Sequence, residues 1–286
     1  VRDDGQENFF RLNGTGMRRF ELFNLCSFTE IIKELSMFKL KMLFLAAAFL
    51  LTGCPIAYAT ETPAIQNASL IVADAGMSIT ERNVRNAAVR VFTAGGGHGS
   101  GSYIKHKDFY FILTAQHVAD GGLYSEYRVK KGDESKKAIL VWSDATTDMA
   151  VLMLTEQFVT IDPMPFKTTS GLPEPGTEIS YSGYPSRHQL MSIRGRVAGY
   201  EQKNGAGTQI MLHTYGWFGC SGSVIYNKKE EIIGVLWGVD VEYYPGMAVI
   251  EDLIWVIPIQ KLNMDKVVSN SCIIKGVKKR SSRFCR

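Results

Sequence analysis

Phe109-Tyr110-Phe111-Ile112-Leu113-Thr114-Ala115-Gln116-His117-Val118 is the stretch on which the fold turns. Its first six residues are aromatic, aliphatic or β-branched, the composition of a strand, and Ala115-Gln116 break the run just before a histidine. The same punctuation recurs from Ala87 onward: short runs rich in Val, Ile, Tyr and Phe, separated by clusters of Gly, Asp, Lys and Pro. Strands are predicted at 89–93, 101–105, 109–114, 127–131, 138–142 and 150–155 in a first half. A second half holds 178–182, 190–199, 208–213, 222–226, 232–238, 247–250 and 254–257. Gly171, Pro173, Pro175 and Gly176 mark 168–176 as the connection between halves. No apolar stripe at helical spacing runs beyond a few turns, and strands do not alternate with helices as a parallel sheet requires. The fold class is therefore all-β. Two halves with about six strands each suit a pair of small antiparallel barrels, which leave no exposed strand edges, although periodicity alone also fits one larger sandwich.

Outward from this core the chain changes character. Lys39 and Lys41 precede an uncharged run, 42–59, that ends in Ala57-Tyr58-Ala59, the order of a secretory signal peptide. Met37 is then the natural start. Lys33-Glu34 demand purine-rich codons and resemble a bacterial ribosome-binding site, so residues 1–36 are expected to be upstream or unstructured sequence. Processing after Ala59 competes with lipidation at Cys54 in Leu51-Thr52-Gly53-Cys54, and an uncleaved anchor is a third form. Each exports the remainder, to the periplasm or beyond, with membrane attachment in two of the three. The expected organisation is 37–59 signal peptide, 60–86 N-terminal extension, 87–167 and 168–262 the two halves, and 263–286 a basic C-terminal tail.

Charge follows these divisions. The overall +4 conceals a core, 60–263, with 18 Lys/Arg against 21 Asp/Glu, and a tail, 264–286, with 7 against 1. A solvated terminus is the expectation for that tail, with no specific nucleic acid partner. Cys272 and Cys285 are able to pair in an oxidising compartment, though nothing in the sequence fixes the pairing, and Cys220 is left as a free thiol. His98, His106, His188 and His213 lack metal-ligand spacing, so neither a metal nor a cofactor is expected. The glycine-rich run 95–101 lacks a Lys-Ser/Thr pair and reads as a strand connection rather than a phosphate loop.

Three segments carry candidate chemistry: His117 after its strand; Asp148 in Thr147-Asp148-Met149-Ala150-Val151-Leu152; and Ser221 in Gly219-Cys220-Ser221-Gly222-Ser223. A serine hydroxyl attacks a peptide carbonyl only if a base removes its proton, and a neutral imidazole serves if a carboxylate holds its tautomer. Asp144 is a rival carboxylate, but only Asp148 directly precedes the Ala-Val-Leu run. Taken singly each motif is weak; together, in this order and in an all-β chain, they reinforce one another.

The order His, Asp, Ser with these flanks resembles the chymotrypsin-like (trypsin-like) serine proteases, with motif style closest to bacterial Deg-type and related exported peptidases. Gly183-Tyr184-Pro185 and Val256-Ile257-Pro258-Ile259 also look like bacterial members, and the likeness covers roughly 87–262. The resemblance implies two Greek-key barrels with the active site in the cleft between them. It implies a serine endopeptidase acting on polypeptides through an acyl-enzyme on Ser221, with His117 as general base and acid and Asp148 orienting it. The amides of Gly219 and Ser221 would form the oxyanion hole. Tyr215 and Gly216 would line the primary pocket, and Trp237-Gly238 would bind substrate backbone. Cys220 departs from animal digestive relatives, whose aspartate there pairs with a newly cut N-terminus, so activity is expected not to depend on such a cut. Two alternatives remain: a non-catalytic exported binding protein of the same fold, or a cysteine protease using Cys220.

Overall fold

The structure is a computed structural model and describes residues 76–203, 205, 207–244, 247–276 and 285. The signal-like segment, Cys54, the first part of the N-terminal extension and the tail's Lys278, Lys279, Arg280, Arg283 and Arg286 lie outside them. The described residues form helix α1 (Ile79–Ala87), thirteen strands and helix α2 (Met264–Ile274). Strands β1 (Ala88–Phe92), β2 (His98–His106), β3 (Phe109–Thr114), β4 (Glu126–Lys131), β5 (Glu134–Asp144) and β6 (Met149–Leu154) build the first half. Strands β8 (Glu178–Gly183), β9 (Met191–Lys203), β10 (Gly207–His213), β11 (Val224–Asn227), β12 (Ile232–Tyr244) and β13 (Met247–Pro258) build the second, and the short β7 (Met164–Pro165) runs parallel to β2.

Each half closes. The first follows the circuit β1-β2-β3-β6-β5-β4 and back to β1; the second follows β8-β9-β10-β13-β12-β11 and back to β8. The strand order is the same in both, an antiparallel Greek key, so the architecture contains a repeat that the sequence does not display. The two-barrel fold expected from the motifs is the observed one, and closure removes every exposed edge within each circuit.

Alternation along the shared strands explains why they read as unbroken apolar runs. In β6, Met149, Val151 and Met153 enter a core between the two barrels, whereas Ala150, Leu152 and Leu154 fill the first barrel. In β11 and β12, Val224, Tyr226, Ile232 and Val235 join the same interbarrel core while Ile225, Ile233 and Leu236 fill the second barrel. A strand buried on both faces has no polar face to show. The site described below lies where these doubly buried strands end.

Several boundaries differ from expectation. Residues 247–250 and 254–257 are parts of one strand, β13, because pairing to β12 carries through the polar interruption at Glu251-Asp252 with irregular register. Strand β12 runs on to Tyr244 and β9 to Lys203. His98 to Ser100, expected in a strand connection, belong to β2. The N-terminal extension ends in α1, whose Ser78 and Glu81 form a reciprocal capping box; Ser78-Ile79-Thr80-Glu81 carries that signal in the sequence. The tail begins as α2, with Asn263 capping its N-terminus through Lys266 N–H, Val267 and Val268 in the interbarrel core, and Asn270 Nδ2 donating to Val141 O at 2.6 Å. A Cys272–Cys285 disulfide resolves the pairing that the sequence left open. No helix among the described residues is long and apolar enough to cross a membrane.

Candidate active site

Strand β3 ends at Thr114, and a single turn of 3-10 helix, Gln116–Val118, carries His117 out of the sheet. The imidazole is about half exposed, at 46%, while Asp148 retains 19%. Asp148 precedes β6, which pairs with β3 through Thr114↔Ala150, so the ladder brings carboxylate and imidazole together. Its Oδ2 lies 2.7 Å from His117 Nδ1, and its Oδ1 accepts the His117 backbone N–H at 2.8 Å. An ionised carboxylate only accepts, so Nδ1 carries the proton and Nε2 is left as a base. Two bonds from one side chain fix both the turn and the ring. Asp148 adopts φ +47°, a left-handed conformation that aspartate tolerates better than most residues. Asp144, the rival, instead accepts from Thr146 N–H in its own turn.

Ser221 sits in the loop between β10 and β11 and is held against the first barrel. Its carbonyl accepts Ser100 N–H at 2.8 Å. Close approach requires glycine on both sides: a Cβ on Gly99 would lie 2.9 Å from Ser221 O and 2.4 Å from Val118 Cγ2. A Cβ on Gly222 would lie 2.2 Å from both Ser100 O and Thr114 Oγ1, at φ +87°. Ser221 is thus locked beside the strand end that launches His117. Among the described residues, neither Ser221 Oγ nor His117 Nε2 has a hydrogen-bond partner, so both remain available to a substrate; such contacts often tighten only in the complex.

The preceding peptide has a defined orientation. Phe218 O accepts Ser186 N–H at 2.6 Å, and Cys220 N–H donates to Trp217 O at 2.9 Å. In a trans peptide the N–H points opposite to the C=O, so Gly219 N–H is turned away from Ser186. Neither it nor Ser221 N–H donates to a protein acceptor among the described residues. Gly219 itself adopts φ +95°, with Tyr184 O only 2.5 Å from where a Cβ would stand.

Ser100, which no sequence motif marks, and His98, which lacks metal-ligand spacing, organise this loop. Ser100 Oγ donates to Gly219 O at 2.7 Å and accepts Tyr184 N–H at 2.9 Å, while its carbonyl accepts Thr114 Oγ1–H at 2.7 Å. His98 Nε2 lies 2.9 Å from Tyr184 O, a bond in which the ring nitrogen donates. The alternation Gly99-Ser100-Gly101-Ser102 was the available signal, small residues where backbones approach closely.

The other proposed site residues are distributed unevenly. Tyr215 is partly exposed, with its carbonyl accepting Tyr181 O–H. Gly216 is buried, and a Cβ there would be 2.3 Å from Ile254 Cγ2. Trp237 turns its ring inward, Nε1 donating to Gln209 Oε1 at 3.0 Å, whereas Gly238 faces open space. Trp217 and Phe218 stand exposed in edge-to-face contact. Cys220 is fully buried in the second barrel's core, and that burial pushes its thiol up to about 11. Among the described residues no three His, Cys, Asp or Glu side chains converge as a metal site.

Comparison with known proteins bears on the fold and the family likeness. Residues 99–235 match the family model of the trypsin-like peptidase domain. No curated protein matches the chain. Among solved structures, a serine endoprotease from Yersinia pestis superposes with a TM-score of 0.51 at 21% identity, covering 69% of this chain and 66% of that one. The Rv3671c protease of M. tuberculosis in its active form also reaches 0.51, at 17% identity, covering 70% of this chain and 83% of its own. At such identities the superpositions speak to fold, and the family match carries the likeness to trypsin-like peptidases.

Proposed function

We propose that the chain is a serine endopeptidase that cleaves polypeptides through an acyl-enzyme on Ser221. The observation that carries this reading is the 2.7 Å bond between His117 Nδ1 and Asp148 Oδ2, which leaves Nε2 as the only basic nitrogen of the ring. Ser221 Oγ attacks the scissile carbonyl carbon while His117 Nε2 takes its proton, and Asp148 stabilises the imidazolium that results. The oxyanion forms where Gly219 N–H and Ser221 N–H are free to donate, each contributing on the order of 3 kcal/mol at the transition state. The imidazolium then protonates the leaving amine. Water attacks the acyl-enzyme with His117 again as base, and Ser221 is released.

The buried, protonated thiol of Cys220 supports serine over cysteine as nucleophile, because the thiolate is the reactive form. The exposed Trp217 and Phe218 suit apolar residues near the scissile bond, and no carboxylate at Tyr215 calls for a basic one. Export, with the leader removed or retained as an anchor, completes the proposal. The test is hydrolysis of an unfolded protein substrate by the full chain, beside Ser221→Ala. Turnover lost in the variant supports the reading; equal turnover in both contradicts it.

A further inference from the structure

A cavity of about 460 Å³ opens between the C-terminal end of α1, the β4–β5 hairpin and loop 184–190, with Arg85, Arg90, Lys130 and Lys131 in its wall. Among the described residues Asp133 is the one carboxylate that lines it, beside Arg90, Lys130 and Lys131, in a core whose total charge is negative. The crowding is built in. Arg90 on β1 and Lys130 on β4 are direct cross-strand partners, an arrangement that like charges disfavour. Lys131 Nζ donates to Arg85 O at 2.6 Å and Ala88 O at 2.8 Å, which satisfies hydrogen bonds without neutralising charge. Burial, aided by Arg85, pushes this ammonium down to about 7, as expected for a cation that lacks a counter-ion. Among the described residues no carboxylate lies within salt-bridge distance of Arg90, Lys130 or Lys131.

The same cations hold the loop that sets the oxyanion peptide. Arg90 Nη2 donates to His188 O at 2.9 Å and its guanidinium lies 4.6 Å from the Tyr184 ring centroid; Arg85 Nη1 donates to Leu190 O at 3.0 Å. At the other end of that loop, Ser186 N–H holds Phe218 O. An anion among the cations would relieve their mutual repulsion and tighten both ends together.

We propose that this cavity binds a small, multiply charged oxyanion of the phosphate or polycarboxylate type, which holds loop 184–190 in the conformation that leaves Gly219 N–H free. The site stands on its own geometry, while its effect on turnover rests on the peptidase reading. Its dimensions are those of a small-molecule pocket, and paired Arg and Lys donors match oxyanion geometry.

The test is titration calorimetry of the full chain with pyrophosphate and, separately, tricarballylate at low ionic strength. The variants are Lys130→Gln and Lys131→Gln, with Lys137→Gln on the neighbouring strand as a control of equal charge change. Ester hydrolysis is measured on the same samples. One-to-one binding of either probe, weakened about tenfold or more in the first two variants and unchanged in the control, is the expected result, with faster hydrolysis by the liganded chain. The preferred probe identifies the phosphate or carboxylate source. Absence of saturable binding, or binding that Lys130→Gln leaves intact, overturns the site. Binding that leaves a measurable hydrolysis rate unchanged overturns the coupling. Binding by a chain that hydrolyses nothing would instead count against the peptidase reading and leave the site standing.

Discussion

Replacing Ser100 with alanine removes one hydroxyl and leaves two backbone groups without those partners, the half-buried Gly219 C=O and the buried Tyr184 N–H, previously held at 2.7 and 2.9 Å. Ser100 is fully buried, so water cannot substitute readily. Each stranded group costs about 1–3 kcal/mol, which gives a loss of about 2–6 kcal/mol from a domain whose whole stability is typically about 5–15 kcal/mol. Function should suffer separately. The backbone bond from Ser100 N–H to Ser221 O survives the substitution, so the nucleophile stays in place, whereas the Gly219 peptide loses its tether. A shift of about 1 Å in an oxyanion donor costs about 100-fold in rate, expected in kcat rather than KM. Urea denaturation reads the first effect, and steady-state hydrolysis below the transition region reads the second. A stability loss under about 0.5 kcal/mol together with unchanged kcat would refute the role assigned to Ser100.

Other perturbations probe different joints. Asp148→Asn should lower kcat by about 10,000-fold with the fold retained, since the amide can offer His117 a donor and favour the wrong tautomer; circular dichroism and kinetics check both halves. Gly222→Ala places a methyl 2.2 Å from Ser100 O and Thr114 Oγ1 at a positive φ, so a loss of at least about 3 kcal/mol is expected in denaturant melts. Glu81 is lowered from 4.5 to about 2, chiefly by its bond to Arg194. Because the folded value lies below the unfolded one, its stabilisation is present above about pH 4.5 and fades as pH falls toward 2, so Glu81→Gln should flatten the pH dependence of Tm in that window. Cys220→Ala should retain hydrolysis within about threefold, and a thiol reagent should label Cys220 only as fast as the protein unfolds.

Much of the fold was legible because strands buried on two faces leave unmistakable apolar runs. Phe109–Thr114 coincides with β3, and the first half's six strands are all present with shifted ends. What escaped was structure sustained by distant partners. Residues 247–258 look like two strands because Glu251-Asp252 interrupt the apolar run, yet pairing to both β10 and β12 carries the chain through. Helix α2 looks like a solvated tail by charge, although Val267, Val268 and Cys272 are buried in the interbarrel core and Met264 and Ile274 pack against it. At the site, His117, Asp148 and Ser221 sit in recognisable local patterns, and the structure brings His117 and Asp148 into direct contact. Ser100 has no such pattern, since its importance lies in bonds to residues 84 and 119 positions away. The cation-lined cavity is equally invisible in sequence, because Arg85, Arg90, Lys130 and Lys131 meet only when β1 and β4 pair.

The central claim is an activated hydroxyl at Ser221, and a serine-reactive fluorophosphonate tests it without knowledge of the substrate. The full chain, Ser221→Ala and His117→Ala would be treated in parallel and the adduct located by mass spectrometry. The account predicts a single adduct on Ser221, absent in the first variant and slowed about 1,000-fold or more in the second. A folded protein that takes no adduct, or takes one elsewhere at the same rate in all three forms, would contradict it.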